Sequence, residues 1–179
     1  ATDSRLDRKI ALALVPGADL DEAGRNRLER EAKVMARLGD HPNVVSVLDV
    51  GVEGSSHFIV SQYMGGGTLA DRIAEARDGR MPVADALTVA TDLAGALEHA
   101  HGLGVIHRDL KPANVFFGTD GRAQLGDFGL AASADEARLT AEGMVVGTVA
   151  YMPPEQTLGQ ELDPRSDLYS LGALMYETL

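Results

Sequence analysis

Three consecutive glycines, Gly65 to Gly67, separate two stretches of sequence with different hydrophobic periods. Before them, residues 44–52 and 57–64 are rich in β-branched side chains, and the polar turn between these stretches predicts a β-hairpin. After them, residues 84–101 carry apolar side chains at helical spacing. A strand-rich first part followed by a helix-rich second part predicts an α+β fold, and the glycines favour a joint between the two parts.

The same patterns predict the remaining elements. In chain order, these are a strand at 9–15, a helix at 21–38, a small hairpin of 115–117 and 123–125, a loop at 133–147, and a helix that begins at 166. The domain organisation that follows is a β-rich part with one helix at 1–64, a hinge at 65–67, and a helical part at 68–179. The helical part would carry the loops with polar, chemistry-bearing residues.

The overall charge excludes one class of function. The 179 residues carry a formal net charge of -11, and such a chain should repel the phosphate backbone of a nucleic acid. A protein this acidic needs metal ions or local cations to bind a polyanion. The chain has no cysteine, no apolar run that could span a bilayer and no apolar signal region at its start, so we expect a cytoplasmic protein without a membrane segment in this chain.

Four short motifs occur in a fixed order in the second part. Residues 107–114 read HRDLKPAN, 127–129 read DFG, 153–155 read PPE, and 167–172 read DLYSLG. Alone, Asp109 could be a helix cap, Asn114 a turn residue and Asp127 a strand-end turn. Together, the motifs resemble the signature set of protein kinases, specifically the eukaryotic-type (Hanks-type) serine/threonine kinases of bacteria, and the resemblance covers nearly the whole chain. It implies the two-lobed kinase fold.

The resemblance implies an ATP- and Mg²⁺-dependent transfer of the γ-phosphate to Ser or Thr hydroxyls of protein substrates. Asp109 would accept the proton of the attacking hydroxyl, and Lys111 would neutralise charge on the transferred group. Asn114 and Asp127 offer the oxygen ligands that Mg²⁺ prefers. The lysine followed by Pro112 resembles the serine/threonine class rather than the tyrosine class.

Residues of the first part would build the nucleotide site, again by resemblance. Glu31 corresponds to the helix glutamate that pairs with a phosphate-binding lysine. The backbone of Gln62 and Met64 would bind adenine, Ser61 would be the gatekeeper, and Ala11 and Phe116 would line the adenine site. Four packing residues would form a stack that joins the lobes: Met35, Val47, His107 and Phe128.

The sequence departs from the kinase pattern at Ala13, which occupies the position of the phosphate-binding lysine. Lys9 lies two pleats away and Pro16 breaks the strand on the other side, so neither obviously replaces the missing cation. The alternative to an active kinase is therefore a pseudokinase that acts as a regulatory or interaction module. A small-molecule kinase is a third, less favoured interpretation, because the loop around Lys111 and the Gly147-Thr148 segment are of the protein-kinase type.

Several family features would lie outside this chain. We expect a Gly-rich loop before residue 1 and further helices after residue 179, so both lobes are expected to be incomplete. The motif at residues 151–156, YMPPEQ, indicates a bacterial source. Thr140 is the candidate phosphorylation site and Thr148 has an expected structural role. The sequence leaves the substrate, the activating signal and the oligomeric state open.

Overall fold

An antiparallel four-stranded sheet forms the first part of the chain in the computed structural model, which describes residues 1–16, 35, 37–39, 41–53, 56–128 and 148–179. Its strands, in chain order, are β1 (Thr2–Asp3), β2 (Arg8–Pro16), β3 (Val47–Glu53) and β4 (Ser56–Gln62). They lie in the order β1-β2-β4-β3. The predicted strand at 9–15 and the predicted hairpin are therefore confirmed, with bounds shifted by a few residues.

The alternation of side chains gives this sheet two different faces. Ala11 pairs with Ser61 and Ala13 with Ile59, and all four side chains line a cavity. The residues between them point the other way, and Leu12 and Leu14 are 46% and 66% exposed. The register of β2 on β4 therefore decides which residues of β2 reach the cavity.

The start of the predicted hairpin was wrong. Residues 44–46 were predicted to belong to the first strand of the hairpin, but β3 begins only at Val47. Val45 instead donates its N–H to Leu125 O at 3.0 Å, and Leu125 donates its N–H to Asn43 O at 2.8 Å. These residues pair with a strand of the second part because that pairing satisfies their backbone groups.

The second part contains mostly helices. They are α1 (Leu69–Glu75), α2 (Val83–Gly102), α3 (Pro154–Thr157) and α4 (Pro164–Thr178), with 3₁₀ turns at Pro112–Asn114 and Thr148–Tyr151. A hairpin of β5 (Val115–Phe117) and β6 (Ala123–Leu125) lies between α2 and α3 in the chain. The α+β fold class is confirmed.

Helix α2 is the centre of the core. Its buried stripe recurs at helical spacing and consists of Ala86, Val89, Leu93, Ala96, Leu97 and Ala100, each at most 4% exposed. Leu69, Phe117, Leu125 and Leu174 bring α1, the hairpin and α4 into the same core cluster. Burial of this apolar surface stabilises the loops that α2 and the hairpin carry.

Capping boxes fix the starts of α1 and α4. Thr68 Oγ1 accepts the N–H of Asp71 at 3.1 Å, and Asp71 Oδ2 accepts the N–H of Thr68 at 2.8 Å. We did not predict α1, although this Thr-x-x-Asp pattern is a helix-start signal. Helix α4 begins two residues before the predicted Ser166, because Asp163 caps it and Pro164 occupies its first position.

The glycine joint is tied to β5. Gly66 donates its N–H to Phe117 O, and Phe117 donates its N–H to Gly67 O, both at 2.9 Å. A Cβ on Gly66 would lie 2.8 Å from Phe117 O, and Gly67 has φ of +73°, so both positions require glycine. Within the described residues, no helix combines the length and apolar character needed to cross a membrane.

Candidate active site

The loop at 107–114 brings three of the predicted site residues into contact. Lys111 Nζ donates to Asp109 Oδ2 at 2.6 Å. Asn114 Nδ2 lies 2.8 Å from Asp109 O and 3.1 Å from Asp109 Oδ2. The turn at Pro112–Asn114 makes this possible, because it brings residue 114 back beside residue 109.

One carboxylate oxygen of Asp109 accepts no hydrogen bond from the described residues. Its side chain is 10% exposed, and its Oδ1 is buried without a hydrogen-bond partner among the described residues. A buried carboxylate oxygen without a donor is costly, so it favours a site completed by another molecule. This oxygen can accept a hydrogen bond from a hydroxyl group.

Asp167 binds two backbone N–H groups of the loop at 107–114. Its Oδ2 accepts the N–H of His107 at 2.9 Å, and its Oδ1 accepts the N–H of Arg108 at 3.0 Å. His101 Nε2 lies 2.7 Å from the same Oδ2. Asp167 is 1% exposed, so these contacts compensate for burial of its charge. The sequence marked Asp167 only as part of a motif and gave no signal for His101.

His107 connects the loop to the segment that contains Asp127. Its Nε2 lies 2.9 Å from Gly126 O, and its Nδ1 accepts the N–H of Asp109 at 3.2 Å. A carbonyl only accepts, so Nε2 carries the proton and Nδ1 does not. Burial lowers the pKa of His107, in agreement with this neutral form. Its ring also packs on Phe128 with 4.6 Å between centroids, as the predicted stack requires.

The other two members of that predicted stack lie in the same region. Met35 and Phe128 are buried in one core cluster, at 5% and 3% exposed, and Val47 packs against it. This cluster connects β3 with the loop at 107–114 through Phe128 and His107. A series of contacts thus runs from the cluster beside β3 through Phe128 and His107 to the backbone N–H of Asp109.

Asp127 has a strained backbone and an unusual carboxyl group. Its φ is +57°, which is uncommon outside glycine and is found at functional sites. The side chain lines the cavity and remains exposed there, yet surrounding protein desolvates it. That desolvation is the main cause that raises the pKa of Asp127, and the carboxylate of Asp109 raises it further. A bound cation would relieve both effects.

Asn114 and Asp127 fit a magnesium site by their chemistry. Both hydrogen bonds of Asn114 use its Nδ2, which leaves the amide oxygen as a possible ligand. Desolvation and the nearby Asp109 raise the pKa of Asp127, and a cation bound to its carboxylate would lower that pKa again. One amide and one carboxylate are too few for a closed site, so Mg²⁺ would need water and phosphate oxygens as well.

A cavity of about 310 Å³ opens beside Asp127. Its volume lies in the range of small-molecule sites. The sheet contributes Ala11, Ala13 and Gln62, β5 contributes Phe116, and the segment after β4 contributes Tyr63 and Met64. The structure thus brings Ala11, Phe116, Gln62, Met64 and Asp127 together around one cavity. Ser61, Met35 and Phe128 line the same cavity.

Ala13 and Lys9 have different surroundings. Ala13 lines the cavity, so the residue in the lysine position of the kinase pattern does point into it. Lys9 lies four residues earlier, with its Nζ 5.5 Å from the centre of the Tyr63 ring. Tyr63 lines the cavity and Lys9 does not, so this cation–π contact holds the ammonium of Lys9 against a residue of the cavity wall.

A second groove, of about 470 Å³, runs along the other side of Lys111. Its walls are α1 and the turn after Lys111, and they include the small side chains of Ala70, Ala74 and Ala113. Tyr151 and Glu177 complete it, and the hydroxyl of Tyr151 donates to Glu177 Oε2. Burial, followed by this carboxylate, raises the pKa of Tyr151. The sequence did not predict the groove.

Some predicted residues lie outside the described part of the chain. These are Glu31, most of the predicted helix at 21–38, and the loop residues Ser133 and Thr140. Met35 and Leu38, at the end of that predicted helix, are helical. Thr148 begins the 3₁₀ turn Thr148–Tyr151.

The sequence profile of the family described as "Protein kinase domain" matches residues 2–179. Serine/threonine-protein kinase PknL of Mycobacterium tuberculosis is 40% identical over 178 residues, which are 99% of this chain and 44% of PknL. The DNA damage-responsive serine/threonine-protein kinase RqkA of Deinococcus radiodurans is 42% identical over 179 residues, which are 98% of this chain and 26% of RqkA. The chain thus spans less than half the length of these relatives.

The fold is also similar to a solved structure. The crystal structure of the PknI kinase domain of Mycobacterium tuberculosis matches with a TM-score of 0.74 and 31% identity, over 94% of this chain and 62% of that chain. The incomplete two-lobed kinase fold predicted from the sequence is therefore confirmed. The chain belongs to the protein kinase domain family, in its bacterial Hanks-type serine/threonine branch.

Proposed function

We propose that the protein containing this chain transfers the γ-phosphate of ATP, with Mg²⁺, to Ser or Thr hydroxyls of protein substrates. The observation that carries the proposal is the difference in contacts between the two carboxylate oxygens of Asp109. Its Oδ2 is bound by Lys111 at 2.6 Å, while its buried Oδ1 has no donor among the described residues. The protein thus orients one oxygen, and the other lacks a donor that a substrate hydroxyl would supply.

Asp109 is the general base of this proposal. The substrate hydroxyl donates to Oδ1 and loses its proton there as its oxygen forms a bond to the γ-phosphorus. The bond from phosphorus to the bridging oxygen of ADP breaks in the same displacement. The ammonium of Lys111, already within the site, stabilises negative charge on the transferred group.

Asn114 and Asp127 would hold Mg²⁺ through the amide oxygen and the carboxylate. When bound, Mg²⁺ would neutralise phosphate charge and orient the phosphates. The acidity of the chain makes this contribution necessary, since its formal net charge is -11. Glu31 remains a proposed partner of the phosphate-binding cation, although Ala13 does not supply that cation.

The cavity between the sheet and β5 is the proposed adenine site. The aliphatic and aromatic side chains of Ala11 and Phe116 suit a flat heterocycle. The backbone of Gln62 and Met64 would supply the directional hydrogen bonds. We propose residues 1–64 and 68–179 as the two lobes on either side of this cavity, with 65–67 as the hinge.

The groove along Lys111 is the proposed site of the protein substrate. Lys111 lines the groove and its Nζ lies 2.6 Å from Asp109 Oδ2, so a peptide in the groove could present a hydroxyl to Asp109. The groove is wide because the alanines of α1 and of the turn after Lys111 have small side chains. Its chemistry is that of a surface for an extended segment rather than of a closed small-molecule pocket.

The test is phosphotransfer by the full-length protein from labelled ATP, to itself or to a generic protein substrate. We expect incorporation that requires Mg²⁺ and that is lost in Asp109→Asn. Incorporation that persists in Asp109→Asn would contradict the proposed base. Label on a small molecule alone would favour a small-molecule kinase.

Ala13 supports the alternative function, a pseudokinase that acts as a regulatory or interaction module. The position faces the cavity but offers no cation to the phosphates. Nucleotide binding without incorporation of label in the full-length protein would favour this alternative. Magnesium-dependent incorporation would exclude it.

A further inference from the structure

The peptide between Arg108 and Asp109 has an unusual conformation. Arg108 has φ of +71°, in the left-handed region, which L-residues rarely adopt. The N–H of Asp109 and the carbonyl of Arg108 belong to one planar unit. The orientation of this plane sets the direction in which the Asp109 side chain leaves the backbone.

Both polar groups of this plane are bound by side chains. The N–H of Asp109 donates to His107 Nδ1 at 3.2 Å. The carbonyl of Arg108 accepts from Gln156 Nε2 at 3.0 Å. The carbonyl can only accept, which requires the nitrogen of the Gln156 amide to face it. Two contacts on opposite sides of a rigid plane fix its rotation, whereas one contact does not.

Gln156 is itself held in place. It lies in the short helix α3, and its N–H donates to Pro153 O at 3.1 Å. Its Oε1 is buried without a donor among the described residues. Because the described residues offer Oε1 no donor, the hydrogen bond from Nε2 to the Arg108 carbonyl is the contact that accounts for the orientation of the Gln156 amide.

We propose that Gln156 is a positioning residue for the reaction, which orients Asp109 by fixing the Arg108–Asp109 peptide. The inference rests on the proposed role of Asp109 as base. It also links the segment at 153–157 to the base through a single hydrogen bond, independently of the Asp167 contacts on the other side of Arg108.

The test compares four variants of the full-length protein. Gln156→Met keeps the length of the side chain and removes the donor. Gln156→His keeps a donor at similar reach. Gln156→Glu places a carboxylate against the Arg108 carbonyl and buries a charge. Gln160→Met makes the same change at an exposed position four residues later and is the matched control.

We expect kcat to fall roughly tenfold to a hundredfold in Gln156→Met and further in Gln156→Glu, with the KM for ATP unchanged. Gln156→His should recover most of the loss, and Gln160→Met should behave as wild type. Wild-type kcat in Gln156→Met would overturn the proposal. Equal losses in Gln156→His and Gln156→Met would do the same, because the role would then not depend on a donor.

A second measurement separates this inference from the proposed function. Hydrogen exchange of the Asp109 amide should be faster in Gln156→Met than in wild type and unchanged in Gln160→Met. If wild type transfers no phosphate, the proposed function fails while exchange still tests the contact. Unchanged exchange in Gln156→Met would refute the contact whatever the activity.

Discussion

The ammonium of Lys111 lies 2.6 Å from Oδ2 of Asp109, in a loop that leaves the opposite oxygen of Asp109 without a donor among the described residues. This asymmetry gives the two oxygens different tasks. The cation holds Oδ2 and orients the carboxylate, and Oδ1 is left for a donor from outside the chain. Substitutions in this pair should therefore affect the rate more than nucleotide affinity.

Asp109→Asn should lower kcat by about two to four orders of magnitude, because the amide cannot accept the proton of the hydroxyl. Nucleotide affinity should change little, since the adenine cavity does not include Asp109. Steady-state kinetics and isothermal titration with an ATP analogue measure the two quantities. Loss of nucleotide affinity equal to the loss of rate would contradict the assignment of Asp109 as base.

Asp127→Ala should remove the effect of Mg²⁺ on nucleotide binding. In wild type, Mg²⁺ should raise the affinity for nucleotide, because the Asp127 carboxylate and the Asn114 amide oxygen provide ligands. The affinity of the variant should be the same with Mg²⁺ and with EDTA. Asp78→Ala, at an exposed position distant in sequence, is the control for loss of one charge. The metal assignment is wrong if the variant keeps the full magnesium dependence.

The fold was largely predictable because its elements have clear periods. The bounds of β5 and β6 were predicted to the residue, since Gly121 and its neighbours mark the turn. Residues 44–46 were assigned to the wrong pairing, because their β-branched character indicates a strand without indicating its partner. Helix α1 was missed because its seven residues are too few for a hydrophobic stripe to stand out.

The candidate site was predictable only where motifs carry it. The contacts of Asp109 with Lys111 and Asn114 follow from the spacing of one loop. The contacts from Asp167 and Gln156 join residues 48 to 66 positions apart, and no local pattern indicates them. The raised pKa of Asp127 depends on desolvation by the surrounding protein, and no pattern in the sequence near residue 127 indicates it.

Ala13→Lys should increase phosphotransfer by the full-length protein. The position faces the cavity, so a lysine there would direct its ammonium toward the phosphates. Charge stabilisation of this kind is typically worth on the order of a few kcal/mol, or tenfold or more in rate. Leu12→Lys adds the same charge on the opposite, exposed face of β2 and should have no effect. An equal effect of both variants would mean that net charge, and not position, is responsible.

The last prediction concerns the pH dependence of stability and depends on His41. Its ring stacks on His99 with 4.7 Å between centroids, and its Nδ1 accepts the N–H of Asn43 at 3.2 Å. Burial is the main cause that lowers the pKa of His41, the proximity of His99 lowers it further, and Glu98 partly opposes them.

The unfolded chain, with the ordinary histidine pKa of about 6.5, therefore binds the proton more readily than the folded one. The stabilising contribution is present above pH 6.5 and is lost as the pH falls toward the folded pKa. His41→Phe keeps a ring on His99 but has no proton to bind, so its free energy of unfolding should fall less between pH 7 and pH 5.5. Urea unfolding across this range measures the difference, to which the buried His107 contributes equally in both proteins. Identical pH dependence in wild type and His41→Phe would show that His41 is not responsible.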